Sequence, residues 1–142
     1  MKIVLAQLNY IIGDFEHNYT KMATAIDEAI ANNSDLIVFG ELAVCGYPPR
    51  DFLEFKDFIH RSEQVVLRLA EHAGKDIAVV VGAPSINPTI EGKDLYNSAY
   101  FLEDGKIKHV SHKALLPTYD IFDEYRYFEP DTIFEVIVWK EQ

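Results

Sequence analysis

The chain has 142 residues, of which 49% are hydrophobic and 25% charged, a composition typical of one globular domain or of part of one. The 23 acidic and 13 basic residues give a formal net charge of −10 at pH 7. Nucleic acids and anionic membranes are bound by clustered Lys and Arg, so this charge argues against both as partners. The sequence has no apolar run of membrane-spanning length and no signal-peptide layout, and its single cysteine excludes an internal disulfide framework. We therefore expect a cytoplasmic protein.

The first part of the chain alternates strand and helix patterns. A buried strand is predicted over residues 2–9, and residues 15–33 repeat apolar side chains at the spacing of an amphipathic helix. The short apolar run Leu36–Phe39 is typical of a strand that is buried on both faces. Two strands joined through a helix predict a βαβ unit with parallel strands.

A second helix and a further strand are predicted in the middle of the chain. Apolar residues from Phe52 and Phe55 onward mark one face of the helix, which is expected to end near Gly74. Residues 77–83 then predict another buried strand, stopped by Pro84.

The last part of the chain predicts a β-hairpin and one more strand. Residues 94–102 and 107–112 flank a turn that contains Asp-Gly, a common hairpin signal, and residues 133–139 have a strand pattern. About six strands with two helices predict an α/β fold whose sheet is covered on one side. The apolar face left open predicts association with another chain, or with residues outside this sequence.

Three charged residues near predicted strand ends are candidates for chemistry. Glu41 follows the strand Leu36–Phe39, Lys113 ends the hairpin, and Glu124 lies in the aromatic-rich segment after it. A lysine between two carboxylates stays charged and can stabilise an oxyanion on an acyl carbon. A partly desolvated carboxylate beside it can act as a general base towards a thiol or water. On these residues alone, ordinary surface ion pairs are the better explanation.

Two longer motifs change that balance. Residues 40–53 read GELAVCGYPPRDFL and residues 113–128 read KALLPTYDIFDEYRYF. Together, and in this order, they resemble the nitrilase (carbon–nitrogen hydrolase) superfamily, and more narrowly the N-terminal glutaminase domain of glutamine-dependent NAD+ synthetases. The resemblance implies a nitrilase-type α-β-β-α sandwich, of which these residues are the first part. It also implies hydrolysis of the glutamine amide, which supplies ammonia for the amidation of deamido-NAD+.

The resemblance assigns a role to each matching residue. Glu41 matches the general base of the family, Lys113 its oxyanion-stabilising lysine, and Glu124 a second glutamate that orients the lysine and the substrate. Tyr47 and Tyr119 match aromatic positions that line the glutamine pocket in the synthetase branch.

The sequence departs from the family pattern in two respects. Gly40 stands where the family usually has proline, which loosens the backbone before Glu41. The family's cysteine nucleophile, usually in a Cys-Glu-Asp context, has no counterpart, and Cys45 is expected to be a small buried thiol. We therefore expect residues 1–142 to form an incomplete carbon–nitrogen hydrolase domain, truncated before the nucleophile cysteine and inactive by itself.

The resemblance also sets expectations for cofactors and partners. It implies no cofactor or metal in this domain, and it assigns ATP and magnesium to a synthetase domain that is absent from these residues. The expected partners are glutamine, the synthetase domain of a full-length protein and further copies of the chain in a homo-oligomer. Two alternatives stay open: another amidase or carbamoylase of the nitrilase branch, and a non-catalytic interaction module.

Overall fold

The computed structural model describes residues 1–89 and 91–140, which form a five-stranded mixed sheet with two α-helices packed on it. In chain order the elements are β1 (Ile3–Ala6), α1 (Phe15–Ala31), β2 (Leu36–Phe39), α2 (Lys56–Ala73), β3 (Ala78–Ile86), β4 (Leu95–Glu103) and β5 (Lys106–His112). The strand order follows the chain order; β1, β2 and β3 are parallel, and β4 and β5 are each antiparallel to the preceding strand. The predicted α/β fold, its parallel opening and its hairpin are confirmed.

Both helices pack on the same face of the sheet and enclose the core. The Asp14 side chain caps α1 by accepting a hydrogen bond from the backbone N–H of His17 at 3.1 Å. Apolar residues of the two helices and of alternate strand positions are then fully buried together: Met22, Ile26, Val66, Leu69, Ile37, Val79 and Val81. Neither helix in the described part of the chain is long and apolar enough to span a bilayer.

No helix covers the opposite face of the sheet in the described residues, as the two predicted helices imply. β1 is an edge strand whose Leu5 side chain is 75% exposed, and in β2 only Ile37 and Phe39 are buried, whereas Leu36 and Val38 are half-buried. Parallel crossovers of the same hand place their helices on one side, which leaves the other side uncovered by helix in residues 1–89 and 91–140. The prediction that β2 is buried on both faces is therefore wrong, and so is the prediction that β1 is a buried strand.

Two predicted boundaries also differ from the structure. Phe52 lies in a 3-10 helix, Arg50–Glu54, and both Phe52 and Phe55 are exposed, so α2 begins only at Lys56. Pro84 lies inside β3, where Gly82, two residues earlier, accepts from the backbone N–H of Val44. Residues two apart in a strand direct their backbone groups to the same side. The Pro84 nitrogen, which has no hydrogen to donate, therefore faces away from β4.

The strand predicted over residues 133–139 is wrong. This segment is outside every β-ladder in the described residues, and its Val136 side chain is 92% exposed. The end of the segment is held in place, because the Trp139 indole donates to Glu103 at 2.6 Å and packs edge-on against Phe101. A run of apolar and β-branched residues favours extended backbone, but a strand also requires a partner edge for its hydrogen bonds.

Candidate active site

The sheet topology brings Glu41 and Lys113 to one edge. β5 is antiparallel to β4, and β4 is antiparallel to β3, so β5 runs in the same direction as β2. Glu41 comes two residues after β2, and Lys113 directly follows β5. The carboxyl ends of these strands therefore present both side chains at the same rim, where sites in α/β sheets commonly lie.

Glu124 reaches this rim on a separate segment. It opens the 3-10 helix Glu124–Arg126, and its backbone N–H donates to Pro117 at 3.2 Å. Just beyond the helix, buried Phe128 forms a bridge with Leu95, and the backbone N–H of Glu129 donates to Leu95 at 2.8 Å. The segment is thereby fixed against the start of β4, which lies at the same edge of the sheet.

The three charged side chains meet at the lysine ammonium. Lys113 Nζ lies 2.8 Å from Glu41 Oε1, 2.9 Å from Glu124 Oε2 and 3.1 Å from Glu124 Oε1. Glu124 is only 5% exposed, whereas the side chains of Lys113 and Glu41 are 30% and 43% exposed. The structure thus brings together the three residues that the motifs select, and their catalytic roles remain predictions.

Asn97 is a fourth member of this cluster that sequence analysis missed. Its amide nitrogen lies 2.6 Å from Glu41 Oε1 and 3.3 Å from Glu124 Oε2. Asn97 is buried near the start of β4, in a stretch that otherwise has a strand pattern. A polar amide within a strand was the available signal, because buried polar groups require partners.

The electrostatics of the cluster favour an ionised glutamate and an ionised lysine. Partial burial acts to raise the pKa of Glu41, but hydrogen bonds from Lys113 and Asn97 outweigh it, and the pKa is lowered. For Lys113, burial acts to lower the pKa, but hydrogen bonds to Glu41 and Glu124 raise it above its ordinary value. The Lys113 ammonium therefore stays protonated at neutral pH, beside the ionised carboxylate of Glu41.

A close backbone approach supports the position of Glu41. A Cβ atom on Gly82 of β3 would lie 2.5 Å from the Leu42 nitrogen and 2.9 Å from the Gly40 oxygen, so only glycine fits there. Leu42, although not glycine, adopts a left-handed backbone with φ of 47°, and its side chain is fully buried. The turn that carries Glu41 is therefore held by contacts with β3 and with the core, whereas nothing lies within 4 Å of a Cβ built on Gly40.

The two predicted pocket tyrosines occupy different positions. Tyr47 donates from its hydroxyl to Glu124 Oε1 at 3.0 Å. Tyr119 is exposed, and its ring packs on Phe122, whose ring centroid is 5.5 Å from that of Tyr119 and 6.2 Å from that of Tyr47. Burial and the hydrogen bond to Glu124 raise the pKa of Tyr47, so it remains a neutral donor.

Two cavities adjoin the cluster from different sides. Glu41, Asn97 and Lys113 line an open cavity of about 280 Å³. A larger cavity of about 560 Å³ is lined by Tyr47 and Glu124 but does not reach Glu41 or Lys113. The smaller cavity is the candidate site, since both the Lys113 ammonium and the half-exposed Glu41 carboxylate line it.

Cys45 is buried, as predicted. Its Sγ lies 3.6 Å from the backbone oxygens of both Leu42 and Gly46, and burial raises the pKa of the thiol to about 12. A thiol in this state is protonated at neutral pH and is a poor nucleophile. Within residues 1–89 and 91–140, no three His, Cys, Asp or Glu side chains are grouped to hold a metal ion.

Comparison of this sequence with known proteins identifies the enzyme family to which the chain belongs. Residues 2–141 match the carbon-nitrogen hydrolase family, and the chain belongs to that family. Among curated relatives, the glutamine-dependent NAD(+) synthetase of Synechocystis sp. is 43% identical over 97% of this chain and 25% of its own length. That of Thermotoga maritima is 38% identical over 92% of this chain and 22% of its own length. The chain thus spans about a quarter of the length of these relatives.

Solved structures give the same assignment of the fold. The glutamine-dependent NAD+ synthetase from Acinetobacter baumannii superposes with a TM-score of 0.88 at 35% identity, over 98% of this chain and 26% of that one. An amidase from Nesterenkonia sp. superposes with a TM-score of 0.79 at 22% identity, over 98% of this chain and 51% of that one, which supports the fold alone. The described residues, with one helical layer on one sheet, match part of these nitrilase-type structures.

Proposed function

We propose that these residues form part of the glutaminase site of a glutamine-dependent NAD+ synthetase, which supplies ammonia for the amidation of deamido-NAD+. The observation that carries the proposal is the contact of the Lys113 ammonium with the carboxylates of Glu41 and Glu124, at 2.8 and 2.9 Å. The names of the relatives support glutamine as the substrate. ATP and magnesium would serve the synthetase domain of a longer protein, and no step at this site is assigned to them.

The reaction begins when a cysteine sulfur attacks the side-chain amide carbon of glutamine. Glu41 accepts the thiol proton as the S–C bond forms and then passes it to the amide nitrogen. The C–N bond breaks, and ammonia leaves behind a glutamyl thioester. Water then attacks the thioester and gives a proton to Glu41, which returns it to the departing thiolate as glutamate is released.

Lys113 stabilises the negative charge that develops on the amide oxygen during each attack. An ammonium already held in place by two carboxylates needs little reorganisation when the oxyanion forms. Buried Glu124 contacts the ammonium with both of its oxygens and so fixes its direction. Tyr47 in turn holds Glu124, and together with Tyr119 it is proposed to line the side of the site that receives glutamine.

The nucleophile in this proposal is a cysteine outside these 142 residues. Cys45 is unsuitable because it is fully buried among backbone carbonyls, with a raised pKa. We therefore expect the isolated 142-residue chain to release no ammonia from glutamine.

A chimera tests the proposal. These 142 residues replace the matching residues of the Synechocystis synthetase, and glutamine-dependent ammonia release is measured for the chimera and for the isolated chain. We expect release by the chimera only. Ammonia release by the isolated chain would refute the requirement for an outside cysteine.

Matched variants of the chimera test the individual roles. Glu41→Gln and Lys113→Met should each slow ammonia release by at least about 100-fold, while NAD+ formation from added ammonium is retained. Glu16→Gln is the control, because Glu16 is a surface carboxylate paired with Arg68 on the helical layer. An unsubstituted chimera that forms NAD+ from ammonium but hydrolyses no glutamine would contradict the proposal. Preferential hydrolysis of carbamoyl compounds would favour another nitrilase-branch amidase.

A further inference from the structure

Asn97 contacts both carboxylates of the candidate site. Its side-chain nitrogen donates to Glu41 Oε1 at 2.6 Å and to Glu124 Oε2 at 3.3 Å, and the residue is only 4% exposed. Since both partners are acceptors, the amide must present its NH2 group to them, and its two hydrogens match the two carboxylates. The geometry of the contacts therefore fixes the orientation of this amide.

The backbone of Asn97 also holds the third member of the site. Its carbonyl oxygen accepts from the backbone N–H of Lys113 at 2.8 Å, one residue beyond the end of β5. Asn97 of β4 thus hydrogen-bonds to the backbone of Lys113 and to both of the carboxylates, Glu41 and Glu124, that contact the Lys113 ammonium.

The hydrogen bonds leave the two oxygens of Glu41 unequal. Oε1 accepts from Lys113 at 2.8 Å and from Asn97 at 2.6 Å. In the described ranges, 1–89 and 91–140, no N–H donor lies within hydrogen-bond distance of Oε2, and Glu41 lines the open cavity of about 280 Å³. The more basic oxygen is therefore the one without donors.

We propose that Asn97 is a positioning residue of the glutaminase site: it holds Glu41 through Oε1, so that Oε2 takes the proton of the attacking thiol. This inference rests on the function proposed above. Glu41 and Glu124 share one ammonium, and Asn97 gives each of them an N–H donor that adds no charge. Without the Asn97 donors, the repulsion between the Glu41 and Glu124 carboxylates should be less compensated, and the pKa of Glu41 should rise.

The chimera with Asn97→Ala and Asn97→Asp tests the inference. We expect kcat for glutamine hydrolysis to fall about ten- to a hundredfold with Asn97→Ala, with a much smaller change in KM, because a hydrogen bond to a charged group is lost. The acidic limb of the pH–kcat profile should move to higher pH, because Glu41 is protonated more easily. Asn97→Asp keeps the size and shape of the side chain but adds a third carboxylate, so it should move the acidic limb to still higher pH.

A second buried asparagine provides the control for a purely structural effect. Asn87 is buried and donates to the Lys93 backbone oxygen at 2.8 Å, in a loop that does not contact the three charged residues. Asn87→Ala should lower thermal stability without moving the acidic limb. An equal shift of the limb by Asn87→Ala, or an unchanged limb in folded Asn97→Ala, would overturn the inference.

Two further measurements keep the outcome decisive. If Asn97→Ala does not fold by circular dichroism, Asn97→Leu, which fills a similar space but has no donor, takes its place under the same criteria. Carbon-13 NMR titration of the Glu41 carboxyl group in the 142-residue chain, with and without the Asn97 substitution, reports its pKa without any activity. A pKa that rises on substitution supports the inference, and an unchanged pKa refutes it. Failure of the proposed function would instead appear as an inactive chimera with Asn97 intact.

Discussion

The Lys113 cluster and the Arg68–Glu16 pair have similar contact distances but different surroundings. Arg68 of α2 contacts both oxygens of Glu16 in α1, at 2.5 and 3.0 Å, and Lys113 contacts Glu41 and Glu124 at 2.8 and 2.9 Å. The Glu16 side chain is 69% exposed, whereas Glu124 is almost completely buried. Separated surface charges regain water, but a buried carboxylate without its cation does not.

This difference indicates where charge is kept for chemistry. Burying ions costs free energy that their mutual attraction does not fully repay, so a half-buried group of three charges is an expensive way to stabilise a fold. Such groups concentrate at functional sites, because a lysine that must remain charged needs carboxylates around it. The distances alone would have ranked the surface pair equal to the cluster.

The largest loss of stability is expected from Lys113→Met. The substitution leaves buried Glu124 and neighbouring Glu41 without their shared cation, and should lower the free energy of unfolding by about 2–4 kcal/mol. We place this below the cost for a fully buried pair because the lysine is partly exposed. Urea unfolding at pH 7 measures it, and a loss no greater than that of Glu16→Gln would remove the contrast between the two regions.

A smaller loss is expected from Tyr47→Phe. The ring is retained, but Glu124 Oε1 loses the hydroxyl donor at 3.0 Å, which should cost about 1–2 kcal/mol in unfolding free energy. Tyr127→Phe is the matched control, since that hydroxyl donates to the surface carboxylate of Asp51 and not to the cluster. Similar losses for both variants, measured by urea unfolding, would show that burial at the cluster adds nothing.

The pH dependence of stability should also separate the two regions. The folded pKa of Glu41 is lowered, so its contribution is present above the unfolded pKa of about 4.3 and is lost as pH falls through the folded value. Glu41→Gln should therefore lose less stability than the unsubstituted chain between pH 5 and pH 3. The pKa of Glu16 is lowered too, by its hydrogen bond with Arg68, but high salt should screen that exposed contribution first. Urea unfolding across pH, at low and high salt, compares them.

The smallest effect is expected from Glu16→Gln. Arg68 keeps its position over the Tyr19 ring, 3.8 Å from the ring centroid, and both freed groups are hydrated. Thermal unfolding in high salt should show no resolvable change in midpoint. A clear destabilisation in high salt would mean that this surface pair behaves like the buried cluster.

The elements of the fold were predictable where periodicity was strong. The helix pattern over residues 15–33 closely matches α1, and the Asp-Gly turn correctly locates the hairpin of β4 and β5. The final segment was not predictable, because a run of apolar residues like the one that forms β2 here leaves Val136 exposed and outside every ladder of the described residues. Periodicity reports which face of a segment is apolar, but not whether a neighbouring edge is available to pair with it.

The candidate site was only partly predictable. Motif resemblance selected Glu41, Lys113 and Glu124, but spacing alone did not, since they lie up to 83 residues apart. Asn97 was overlooked because an asparagine in a strand has no recognisable motif. In the sequence Gly82 is one residue of a buried run, and nothing there indicates that its missing side chain leaves room for the turn that carries Glu41.

The sequence by itself determined the charge, the alternation of strand and helix, the family motifs and the single cysteine, because these depend on residue identity and local spacing. Only the tertiary structure decided that β2 and β5 end at one rim, that Glu124 is buried beside Lys113, and that Asn97 joins them. Contacts between residues distant in the chain depend on sheet direction, register and backbone approach. No local pattern contains those quantities, and the chemistry of this site depends on them.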